Sequence, residues 1–225
     1  MRTPVIRNDT IQADRYSEVN RQALQGEDIF SISVIGGPGC GKTTLIDATI
    51  ERLMPDVHVG VVACDLVSSR DADKMARHSD QVVQINTGEG RALNAGQVHE
   101  ALNLLDLDWI DLLFIENIGS LTNPARNDIG QDVTVAIFSV AAGDDKADKH
   151  PDLVRSADVI LINKIDLLGR APFDIAAFRA DVARHNERVE VFEISAINAQ
   201  GTDQWIDWLR KRIKKAHHLA SHWFG

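Results

Sequence analysis

Cysteine is nearly absent from this chain: Cys40 and Cys64 are the only two in 225 residues. That is too few for a disulfide framework or a four-cysteine metal site, so reduced thiols are expected. No apolar run approaches the length needed to cross a bilayer, which excludes a membrane-spanning helix, and no membrane partner is expected. The opening Met1-Arg2-Thr3-Pro4-Val5-Ile6-Arg7 lacks the apolar stretch of a secretory signal, and the expectation is a cytoplasmic protein. Positive charge is short as well. Twenty-four Lys and Arg stand against 33 Asp and Glu, for a net charge of -9, whereas binding nucleic acid broadly requires clustered positive charge. Internal repeats and low-complexity segments are also missing, which excludes solenoids and linker-rich chains.

With 44% hydrophobic residues the chain can bury one substantial core. The expectation is a single domain over 1–225, with a polar helical extension over about 1–25. Strand-like and helix-like patterns alternate from end to end, which predicts an α/β fold with a mostly parallel sheet covered on both faces. Candidate strands are Ile29–Ile35, Val57–Cys64, Gln81–Ile85, Ile110–Ile115, Val133–Val140, Val159–Ile162 and Val189–Ile194. Several are nearly continuous in Val, Ile and Leu, as strands buried on both faces should be. Helices are expected over Ile11–Leu24, Thr44–Leu53, Asp71–His78, Leu93–Leu105, Pro151–Ser156, Ile175–His185 and Thr202–Lys215. In the last of these, Trp205, Trp208, Leu209 and Ile213 recur at helical spacing and read as core.

Two signatures carry the chemistry. Gly36-Gly37-Pro38-Gly39-Cys40-Gly41-Lys42-Thr43 follows a strand and precedes a helix, the context a phosphate-binding P-loop requires. Backbone groups of Gly37, Gly39, Cys40 and Gly41 would surround a polyphosphate, with Thr44 completing the helix start. Lys42 would reach the β and γ oxygens, and Thr43 would offer its hydroxyl to Mg²⁺. Glycine is needed because side chains would block that approach. The second signature, Asn163-Lys164-Ile165-Asp166, ends the strand Val159–Ile162 at the edge where open α/β sheets bind ligands. Asp166 there can accept from guanine's ring N–H and exocyclic amine, donors that adenine lacks at those positions. GTP with Mg²⁺ is therefore the expected ligand, and the fold reads as a P-loop NTPase.

Further candidates sit at other strand ends. Glu116, in Glu116-Asn117-Ile118-Gly119, is placed at the tip of a buried strand to hold Mg²⁺ directly or through water. Gly119 is a candidate backbone donor to a γ-phosphate. Asp65 follows another strand and is a second candidate for Mg²⁺ or water, with Lys42, Asp65 and Glu116 forming the expected catalytic set. Beyond it, Asp71 reads equally well as a helix cap, and Asp73 is a cap candidate too. Ser195-Ala196-Ile197 follows the last strand, where backbone amides of Ser195 and Ala196 would lie near the guanine oxygen.

In order along the chain, these motifs resemble the HypB/UreG family of metalloenzyme-maturation GTPases, and HypB more closely. The resemblance also takes in Asn20-Arg21, Asn86-Thr87-Gly88, Gly143-Asp144-Asp145-Lys146, Lys149-His150-Pro151 and Gly201 through Leu209. It implies a slow intrinsic GTP hydrolase that dimerises with GTP bound and assists maturation of a client metalloenzyme. One departure stands out. Where the family carries adjacent Cys and His that bind Ni²⁺ or Zn²⁺, this chain reads Gly90-Arg91-Ala92-Leu93-Asn94, and neither Arg91 nor Ala92 offers a thiolate or imidazole. A second family cysteine, ahead of a proline, is replaced by Asn123 before Pro124. Other metal ligands would have to come from Cys40 with Cys64, or from His217, His218 and His222. Two other readings share the P-loop: a kinase phosphorylating a small molecule, and a nucleotide-gated binding protein with little turnover.

Overall fold

The computed structural model describes residues 10–64, 79, 81–87, 92–119 and 128–220. Among the described residues seven strands form one sheet: β1 (Phe30–Gly36), β2 (Val59–Cys64), β3 (Gln81–Ile85), β4 (Leu112–Gly119), β5 (Val133–Ser139), β6 (Val159–Asn163) and β7 (Glu190–Glu193). Their order across the sheet is β3-β2-β4-β1-β5-β6-β7, and every neighbouring pair is parallel. The expected α/β fold with a parallel sheet is what the chain adopts. The helices are α1 (Thr10–Gly26), α2 (Lys42–Leu53), α3 (Ala95–Leu102), α4 (Lys146–Lys149), α5 (Pro151–Ser156), α6 (Ile175–His185) and α7 (Thr202–Ala220). The helix expected over Asp71–His78 lies outside the described residues.

Because side chains alternate along a strand, each face of the sheet builds its own core. Leu112 and Phe114 of β4 join Ile46, Ile50, Trp205 and Leu209 on the face covered by α2 and α7. Leu113 and Ile115 join Leu24, Leu93, Val98 and Ile129 on the face covered by α1 and α3. The tryptophans of α7 are core, as their spacing indicates: Trp205 is 1% exposed and Trp208 8%. Their rings stack at 5.4 Å, and their indole N–H groups donate to Thr49 (3.1 Å) and Glu190 (2.9 Å).

One strand departs from its expected limits in a way that shapes the site. The apolar run ends at Ile115, so Glu116 is expected at a strand tip. In the structure β4 continues to Gly119, with Glu116 opposite Val34 of β1 and Ala63 of β2, and Gly119 opposite Gly36 after a register shift. At Glu116 the strand is paired on both sides, so the carboxylate is held inside the sheet and is only 5% exposed.

Candidate functional site

The P-loop leaves β1 at the centre of the sheet and enters α2. Gly41 is the N-cap of α2 in the left-handed region, φ 99°, and no side chain caps the helix. The first-turn N–H groups therefore face the loop, an arrangement that favours an anion. Two glycines are required by contact as well as by φ. A Cβ on Gly36 would come within 2.6 Å of Ile137 O and 2.8 Å of Cys40 Sγ, and one on Gly41 within 2.5 Å of Asn163 Nδ2. Lys42 is 8% exposed, and its ammonium folds back to donate to Gly36 O (3.2 Å) and Gly37 O (3.4 Å). Cys40 is buried, and that burial raises its thiol pKa against the opposing pull of Lys42. It is a protonated packing residue rather than a thiolate ligand.

Thr43 Oγ1 donates to Glu116 Oε1 at 2.7 Å, which joins the two oxygen-bearing side chains expected to hold magnesium. A hydroxyl and a carboxylate are the hard oxygen donors that Mg²⁺ selects. The glycine-lined loop beside them leaves room for the phosphates the ion accompanies, so these residues fit it. Asp65, Asp71, Asp73, Arg91, Asn123 and His222 lie outside the described residues.

The second signature sits directly on the P-loop. Asn163 is 1% exposed and donates from Nδ2 to Cys40 O (2.9 Å), while its Oδ1 accepts from Lys164 N (2.8 Å) and Ala196 N (3.1 Å). Lys164 adopts a left-handed backbone, φ 64°, a conformation that costs a non-glycine residue about 1–2 kcal/mol. Its ammonium donates to Gly39 O at 2.7 Å. Ser195 Oγ donates to Asp166 Oδ1 (2.6 Å), which orients that carboxylate. The amides of Ser195 and Ala196, expected near the guanine oxygen, both donate within the protein here. Ser195 N donates to Gln200 O (2.8 Å), and Ala196 N to Asn163. A cavity of about 280 Å³ opens between the loop residues Gly37 and Cys40, the end of β5 at Ile137 and Ser139, and the cations Lys146 and Lys164.

Two features escape sequence reasoning. Asn163 bridges three loops instead of only lining one, and Asn117 is a buried amide inside β4, 2% exposed. Asn117 follows the polar Glu116 where the apolar run has already ended, so no linear pattern marks it as buried. Among the described residues no group of three or more His, Cys, Asp or Glu is arranged to hold a metal ion. Cys64 Sγ contacts Thr87 Oγ1 at 3.6 Å, and His217 pairs with Asp111 at 3.4 Å.

Comparison with known proteins places this arrangement. Residues 31–193 match the family described as "CobW/HypB/UreG, nucleotide-binding domain". A curated relative, the "Probable hydrogenase maturation factor HypB" of Methanocaldococcus jannaschii, is 36% identical over 211 residues, covering 93% of this chain and 96% of its own. The crystal structure of the hydrogenase maturation factor HypB of Archaeoglobus fulgidus superposes with a TM-score of 0.86 at 35% identity, covering 90% of this chain and 99% of that one. The structure of HypB from Helicobacter pylori in complex with nickel gives 0.85 at 26% identity, over 91% and 96% of the two chains.

Proposed function

Since this chain belongs to the CobW/HypB/UreG family, we propose that it is a GTP-hydrolysing switch that assists maturation of a metalloenzyme, as its relatives' names indicate for hydrogenase. The observation that carries the reading is the pair of bonds from Asn163 and Lys164 to Cys40 O and Gly39 O, which ties a guanine-selecting motif to a phosphate-binding loop. Asp166, oriented by Ser195, selects the base, and this selection weighs against a kinase using ATP.

In the reaction, water attacks the γ-phosphorus, the bond to the β–γ bridging oxygen breaks, and GDP and inorganic phosphate leave. Lys42 exchanges its two long contacts to loop carbonyls for the β and γ oxygens, where its charge stabilises the transferring group. The uncapped start of α2, at Lys42, Thr43 and Thr44, directs its backbone N–H groups at the phosphates. Thr43 and Glu116, with Asp65, would hold Mg²⁺. Held there, Mg²⁺ would supply positive charge against the negative charge that develops on the phosphate oxygens. Gly119, three residues past Glu116 on the same strand, is the donor to the γ-phosphate.

Glu116→Ala tests the site at the γ-phosphate end. Phosphate release should fall about 10²-fold, the scale of losing one electrostatic contact to the reacting group, while GDP affinity measured by calorimetry stays close to that of the parent. Hydrolysis at the parental rate would remove Glu116 from the site.

Intrinsic turnover is slow, and GTP drives formation of a homodimer in the cytoplasm. No tight Ni²⁺ or Zn²⁺ site forms around Arg91 and Ala92, because guanidinium groups repel cations. Sedimentation should show a dimer with GTP and a monomer with GDP. Equilibrium dialysis should show submicromolar metal only after Arg91-Ala92 is replaced by Cys-His. One Ni²⁺ per dimer of the parent would restore metal delivery through other ligands.

A further inference from the structure

Glu116 and Asn117 are consecutive in β4, so their side chains leave the sheet on opposite faces. Glu116 meets Thr43 on the α2 face. Asn117 meets the α3 face, where its Oδ1 accepts from Leu93 N at 3.1 Å and from Ile118 N at 2.9 Å. Leu93 leads directly into α3. Asn94 opens that helix with a capping box, Gln97 N to Asn94 Oδ1 at 3.0 Å and Asn94 N to Gln97 Oε1 at 3.1 Å. α3 is in turn fastened to α1. The fully buried Asn20 donates from Nδ2 to Ala95 O (2.8 Å) and Ile129 O (3.0 Å), and its Oδ1 faces His99 Nδ1 at 3.2 Å. Arg21, the next residue, donates from Nη2 to both carboxylate oxygens of Asp128, beside Ile129 (2.9 and 2.7 Å).

We propose that Asn117 is a positioning residue that carries the nucleotide state of the P-loop through the sheet to α3 and α1, making this helical layer the surface on which GTP and GDP are distinguished. The inference rests on the reading that Thr43 and Glu116 face the γ-phosphate end of bound GTP. When Thr43 turns toward the nucleotide, the Thr43–Glu116 bond is replaced and the end of β4 shifts. A buried N–H that loses its acceptor is costly, so Leu93 follows Asn117 instead of releasing it. The capping box and Asn20 then pass the shift to whole helices, which move as packed units. This gives the Asn20-Arg21 motif a task that nucleotide binding alone leaves unexplained.

Amide exchange on the full chain, loaded with GDP or with a non-hydrolysable GTP analogue, tests the proposal. Protection of Leu93 and of the α3 amides should differ about tenfold between the two nucleotides in the parent. In Asn117→Ala that difference should disappear without a comparable change in GDP affinity. A merely structural Asn117 would speed exchange equally in both states and leave the difference intact, and that result overturns the proposal. So does equal exchange with both nucleotides in the parent, a measurement needing no variant. Nucleotide binding is measured first by calorimetry. Its absence overturns this proposal together with the function it rests on, whereas binding with unchanged exchange overturns this proposal alone.

Discussion

Replacing Lys42 with alanine is expected to lower GTP turnover about 10²–10³-fold, the loss found when one preorganised electrostatic contact to a reacting group is removed. The geometry explains why no neighbour compensates. Lys42 is buried at the start of α2, and its ammonium already lies within the loop, on the carbonyls of Gly36 and Gly37. Lys164 donates to Gly39 O and is committed to holding the second motif on the loop. Arginine should not rescue, because a planar fork does not fit where a compact ammonium sits between two carbonyl oxygens. Single-turnover phosphate release separates the chemical step from binding. A variant that turns over within a few-fold of the parent would show that the P-loop lysine does not act on the transferring group.

Asp166→Asn should weaken GTP binding by about 1–3 kcal/mol, roughly fivefold to more than a hundredfold in Kd. Ser195 Oγ donates to Asp166 Oδ1 and fixes which way the carboxylate faces. An amide there would present an N–H toward guanine's own donors, leaving buried polar groups unpaired. The same change should narrow the preference for GTP over ATP, and xanthine nucleotides, with a carbonyl where guanine has an amine, should gain. Calorimetric titration with the three nucleotides reads this directly. An unaltered GTP affinity in the variant would place the base elsewhere.

Much of this site is legible in the sequence because its chemistry is local. Gly36 through Thr43 specifies a backbone shape and a helix start within one turn of chain, and Asn163 to Asp166 follows a strand whose apolar run is unmistakable. Elements lacking such a local signature were harder to read. Glu116 and Asn117 look like the end of a strand because they are polar, yet pairing with β1 carries β4 on to Gly119. The four-residue helix Lys146–Lys149 contains a single buried side chain, Ala147, and has no apolar periodicity to reveal it. The tasks of Asn163 and Asn117 depend on partners 123 and 24 residues away, and nothing in a linear pattern encodes those contacts.

The most direct test of a GTP-hydrolysing switch is phosphate release by the purified chain with GTP and with ATP, side by side, in the presence of Mg²⁺. Slow release from GTP, with release from ATP lower by at least about tenfold, is expected from a site in which Asp166 pairs with guanine donors that adenine lacks. Equal rates with the two nucleotides, or release from neither, would contradict it.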